Sequence, residues 1–249
     1  SFVFGQLQGD APIITQISTT NMVEGEAATF NLIFRDQKPS TTPPRTLEAD
    51  GLEIRYRGAN TQYINGNGFF IYQYLVIAHQ SGSFQIPSYE FESKGQKIRS
   101  TPAKINVVSP DTLNPERFES KGEEFICYSK LFLTKDSLYP GESTHVEYKI
   151  YLPQKLNTLD WGQPKSDIAF NCTAWRFDNP GRGSTIGEAK INDQLYKVGS
   201  YTTVLSALKA GDASFGPMET TLTVSLGRID PFFGVSRRNQ VELPITTPA

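Results

Sequence analysis

Two cysteines, two histidines and a scatter of acidic side chains are the groups in this 249-residue chain with reactive chemistry to offer. Their spacing argues against most of it. Cys127 and Cys172 stand 45 residues apart in the second half, each within an alternating apolar series, where a thiol commonly serves as inert packing. A disulfide between them suits that separation if the chain meets an oxidising compartment; two buried free thiols are the other reading, and the spacing does not choose. Neither has a histidine nearby in sequence to activate it as a nucleophile. His79 and His145 fall in different halves, and His145 shares an outward-facing alternate series with Glu147 and Lys149, so a joint metal or acid–base pair is not expected. Gly181-Arg182-Gly183-Ser184-Thr185 has glycines and hydroxyls but lacks the lysine and spacing with which a phosphate loop holds its ligand. Glu123 and Glu124 are neighbours in an extended stretch and point apart, unlike the facing acid and base of a glycosidase. No catalytic residue, metal ligand or cofactor is expected, and the chain reads as a protein without enzymatic activity.

Binding is the better prospect. Asp230-Pro231-Phe232-Phe233 puts two adjacent rings in a loop of Gly, Arg and Asn, where they either cap an open end of the fold or form an apolar anchor for a partner. Sugar stacking is the alternative use of aromatics; its candidates are Trp161, which sits in a loop between Asp160 and Gly162, with Trp175 and Tyr63.

The elements that must position these residues are strands. Leu52-Glu53-Ile54-Arg55-Tyr56-Arg57 alternates three apolar residues with three charged ones, the pattern of a half-buried antiparallel strand. The same period recurs at 29–34, 69–78, 89–92, 125–133, 145–152, 168–177, 201–208 and 219–226. Some seven such strands per half, separated by turn residues, predict two tandem β-sandwiches of the immunoglobulin or fibronectin III kind.

The halves also echo each other. Val23 to Phe34 reappears as Tyr139 to Ile150, with Gly25-Glu26 falling on Gly141-Glu142. The strand before Gly82 and Pro87 reappears before Gly211 and Pro217, and Thr101-Pro102-Ala103, which opens a last strand, reappears as Thr247-Pro248-Ala249. A repeat this long means duplicated domains. The expected division is residues 1–116 and 117–249, with the polar stretch Ser109–Glu124 as the connection and the second copy lacking its last strand.

A formal net charge of −2, from 24 basic and 26 acidic residues, offers no footprint for nucleic acid or an anionic membrane. No apolar run is long enough to cross a bilayer, and residues 1–10 lack the pattern of a signal peptide.

Taken together, the Gly-Glu strand openers, the Gly turns leading to Pro87 and Pro217, the two Thr-Pro-Ala sequences and the Asp230–Phe233 insertion resemble the BatD family of aerotolerance-associated, or oxygen tolerance, proteins. That resemblance implies an exported bacterial protein with immunoglobulin-like domains in the periplasm and a tether to the cytoplasmic membrane, of which this is the soluble N-terminal part. It implies von Willebrand factor A-type Bat proteins as partners, in a system with a MoxR-type AAA+ ATPase, and it transfers no catalytic residue.

Overall fold

Alternation becomes pairing throughout: apart from one 3-10 turn, every regular element among the described residues is a strand. The computed structural model describes residues 13–35, 38–64, 66–120, 122–166, 169–178, 180, 187–226 and 240–248. Contacts divide the chain into two units, Ser1–Ser109 and Pro110–Ala249.

The first unit holds β1 (Ile13–Ile17), β2 (Asn21–Val23), β3 (Glu26–Arg35), β4 (Thr46–Leu47), β5 (Leu52–Ile64), β6 (Asn67–Ala78), β7 (Gly82–Ile86), β8 (Glu90–Ser93), β9 (Gln96–Arg99) and β10 (Ala103–Val108). Strands β1, β3, β6, β5 and β4 lie side by side in that order, all antiparallel. Facing them is a small sheet in which β10 runs parallel to β2 and antiparallel to β7. The period of two explains the core. Phe30, Leu32 and Phe34 of β3 and Tyr72, Tyr74 and Val76 of β6 point to one side, where they meet Met22, Ile86, Ile105 and Val107 from the small sheet.

The second unit begins with the 3-10 turn Pro110–Thr112 and contains β11 (Asn114–Ser120), β12 (Glu123–Leu133), β13 (Ser143–Pro153), β14 (Leu156–Asp160), β15 (Ala169–Phe170) and β16 (Cys172–Ala174). It continues with β17 (Gly187–Ile191), β18 (Gln194–Ala207), β19 (Ser214–Phe215), β20 (Met218–Leu226) and β21 (Gln240–Thr247). Strands β11, β12, β13 and β18 are neighbours in that order, and β16 and β17 both pair with β18. The opposing layer is β14, β20 and β21, with β15 paired to β19. Tyr148, Ile150, Tyr201 and Trp161 meet Leu222, Val224, Leu243 and Ile245 in its core. Both units are therefore all-β sandwiches.

Two local features depart from the sequence reading. The polar stretch expected as an interdomain connection contains β11, which pairs with β12 from Asn114 opposite Ser129 to Ser120 opposite Glu123. Its alternation is hidden because only Phe118 supplies a large apolar side chain, stacked on Phe125 with ring centres 5.8 Å apart. Pro115 is tolerated because β11 has a single neighbour and the missing N–H breaks no ladder on its far side. The run 168–177, expected as one strand, is divided at Asn171, whose φ of +56° lies in the left-handed region. Its side-chain amide donates to the Asp212 carbonyl at 2.9 Å, which holds the break in place.

The repeat is written in hydrogen bonds. Gly25 N–H donates to the Ala78 carbonyl at 2.9 Å and Gly141 N–H to the Ala207 carbonyl at 2.8 Å. Both glycines sit at positive φ, +81° and +83°, which is why this position takes glycine. The following carboxylates act alike: Glu26 accepts from Val23 N–H at 3.0 Å and Glu142 from Tyr139 N–H at 3.1 Å.

Candidate interaction surface

The groups with reactive potential are dispersed and muted. Cys127 and Cys172 are buried free thiols rather than a disulfide. The topology gives the reason: Cys127 is on β12 and Cys172 on β16, and β13 and β18 run between them. Three strand spacings of about 4.8 Å each far exceed the Cα separation a disulfide bridges. Burial pushes the Cys127 thiol up to about 12, with the Glu116 carboxylate a lesser cause. Burial also raises Cys172, whose Sγ–H donates to the Ser214 carbonyl at 3.3 Å. Neither is a poised thiolate.

His79 stands on the first unit with Nε2 2.9 Å from the Glu53 carboxylate, and His145 is exposed on β13. Among the described residues, no three His, Cys, Asp or Glu side chains gather within reach of one ion. The series shared by His145, Glu147 and Lys149 does not face water along its length. Lys149 is only 1% exposed, its Nζ lies 3.8 Å from Glu147 Oε1 and 5.5 Å from the Phe132 ring centre, and Ser200 Oγ–H donates to the same Glu147 oxygen at 2.6 Å. Alternation told which face these residues share, not that the face is covered there.

The aromatics sort differently from expectation. Trp161, read as lying outside the core, is 3% exposed; its ring meets Tyr201 edge-on at 6.4 Å, and its carbonyl accepts from the Tyr201 hydroxyl. That removes it from any sugar-stacking platform. Trp175 and Tyr63 are exposed, but they belong to different units. Asp230, Pro231, Phe232 and Phe233 lie outside the described residues.

What the second unit does present is a set of exposed apolar side chains around the end of β18. Trp175 is 74% and Tyr139 82% exposed, and Phe170 and Leu208 are exposed as well. Backbone bonds bring them there. Trp175 N–H donates to Val204, Gly141 N–H to Ala207, and Leu208 N–H to Asn171, the residue after Phe170. Sequence reading absorbed Phe170 and Leu208 into strands assumed to face the core. The available signal was the break to come: Leu208 runs into Lys209-Ala210-Gly211, and Phe170 precedes an Asn. The first unit has a shallow groove between the 48–51 turn and β7, lined by Glu48, Asp50, Gly51, Phe84 and Gln85.

Residues 15–107 match the family model described as BatD DUF11 like domain. Over that span the chain is similar to the BatD family. The matched span runs from within β1 to within β10, nearly the whole of the described part of the first sandwich, a two-sheet unit whose last strand pairs with its second. None of the curated proteins compared with the chain matches it. No helix among the described residues is long and apolar enough to cross a membrane.

Proposed function

We propose that this BatD-type chain is a non-enzymatic docking module, held outside the cytoplasm by a membrane tether, whose partners are von Willebrand factor A-type Bat proteins in a stress or oxygen tolerance system. The observation that carries the reading is the exposed apolar set Tyr139, Phe170, Trp175 and Leu208 around the end of β18. Large apolar side chains left in water beside the end of a sheet cost solvation free energy in the isolated protein and recover it when a partner covers them. Backbone bonds tie their segments to β18 and to each other, which lowers the ordering entropy that opposes binding. The Asp230–Phe233 loop is proposed as a second contact in the same role.

Crosslinking in cells that express the full-length membrane-tethered parent, followed by identification of captured proteins, tests this. Recovery of a von Willebrand factor A-type protein that is lost in a Trp175→Ser, Phe170→Ser variant is the expected result. Capture that is unchanged in that variant, with the fold intact by circular dichroism, sinks the surface; capture of no such protein sinks the partner.

A further inference from the structure

The two units close their small sheets differently. In the first, β10 fills the position between β2 and β7, with Asn106, Val107 and Val108 opposite Asn21, Met22 and Val23, and with Ala103 to Val107 opposite Ile86 to Gly82. It buries Ile105 and Val107 and leaves Lys104 and Asn106 outside.

The walls of the same position exist in the second unit. The matched glycine and glutamate bonds place Ser137-Leu138-Tyr139 where Asn21-Met22-Val23 lie, and β19, between Gly211 and Pro217, stands for β7, between Gly82 and Pro87. Among the described residues, no strand pairs with Ser137–Tyr139. The consequence shows in burial: Val23 is fully buried while Tyr139 is 82% exposed, and Leu138 is half-buried where Met22 is buried.

The route into that position is also repeated. In the first unit Ile13 bridges Ser100, just before Thr101-Pro102-Ala103 leads into β10. In the second, Leu133 opposite Val146 repeats Ile17 opposite Phe30, which makes Ser129 the counterpart of Ile13. Ser129 Oγ–H donates to the Thr246 carbonyl at 3.3 Å, so Thr246 takes the place of Ser100 and Thr247-Pro248 that of Thr101-Pro102.

We propose that the second unit is a strand acceptor. Its occupant is an extended segment joined directly after Ala249, running parallel to Ser137–Tyr139 and antiparallel to Ser214–Phe215, with apolar side chains at the places of Ile105 and Val107. One detail sets its register. Asn106 N–H donates to Thr20 and Glu24 N–H donates to Val108 in the first unit, but Pro140 replaces Glu24 and has no N–H. The occupant is therefore held by the Asp136 carbonyl at one end and released one hydrogen bond earlier at the other. This inference shares only Tyr139 with the partner reading above, and Trp175 and Phe170, the residues varied there, are unchanged in its test.

The first unit supplies the probe. Residues 1–249 are prepared with Lys-Ile-Asn-Val-Val, the sequence of 104–108, appended after Ala249, and separately with Lys-Asn-Asn-Asn-Val appended. The apolar extension is expected to raise the Tm by about 5 °C or more and to slow hydrogen exchange at 137–139 and 214–215, while the polar one does neither. No gain with the apolar extension, or an equal gain with both, overturns the acceptor. The same pentapeptide added free at equimolar concentration is expected to give no gain; if it matches the joined strand, entry from Ala249 is wrong.

Discussion

Trp161 packs against the backbone of Gly199, so close that a Cβ on residue 199 would come within 2.2 Å of the indole Cζ3. The glycine is a packing requirement rather than a turn. Gly199→Ala is expected to destabilise the second unit by about 1–3 kcal/mol through overpacking, read as a lower denaturation midpoint followed by tryptophan fluorescence. Trp161→Leu in the same background should recover part of that loss by relieving the clash; a fully stable single variant would show that the indole has somewhere else to go.

Glu142 carries the second copy of the turn and is tuned by it. The Lys135 ammonium, and then the Tyr139 N–H, hold its carboxyl below the usual range. A folded-state value below the unfolded one means that the contribution is fully present above the unfolded value near 4.5 and is lost as pH falls through the folded value. Carboxyl NMR titration should show the low value, and Glu142→Gln should flatten the acid limb of the stability profile. An ordinary titration in the native protein would refute the turn's role.

Both thiols are expected to be counted as free by Ellman titration in denaturant, even after exposure to air. In the native protein Cys127 should react slowly at pH 8, since burial holds it near 12 and leaves little thiolate. A single disulfide by mass spectrometry would contradict the strand order that separates the two.

Lys149 is a buried cation whose removal leaves Glu147, beside it, without that charge. Lys149→Ala is expected to cost about 3–5 kcal/mol, and Lys149→Met less, because the methionine refills the volume over Phe132. Urea unfolding of both variants checks the order; equal losses would show that the charge beside Glu147, and not the filling of volume, is what Lys149 contributes.

Much of this architecture was legible because β-structure has a short period. Leu52–Arg57 announces its buried face in six letters, and the Gly-Glu echo marks a turn that both units build with the same bonds. What stayed hidden was decided between distant strands. Alternation in β13 assigns Lys149 to a face but not its cover, and nothing near Trp161 tells that Gly199, 38 residues later, leaves room for an indole. The exposed set around β18 is likewise assembled by pairing, from residues at 139, 170, 175 and 208. β11 escaped notice because an edge strand with one neighbour needs few apolar residues.

The parallel pairing of Asn21–Val23 with Asn106–Val108 ties the start of the first sandwich to its finish. A ribosome delivers those ends in order, so Met22 must wait, partly uncovered, until Val107 has emerged. Nascent chains halted before residue 103 should therefore stay protease-sensitive, and halting only after the whole domain has cleared the exit tunnel should protect it in one step.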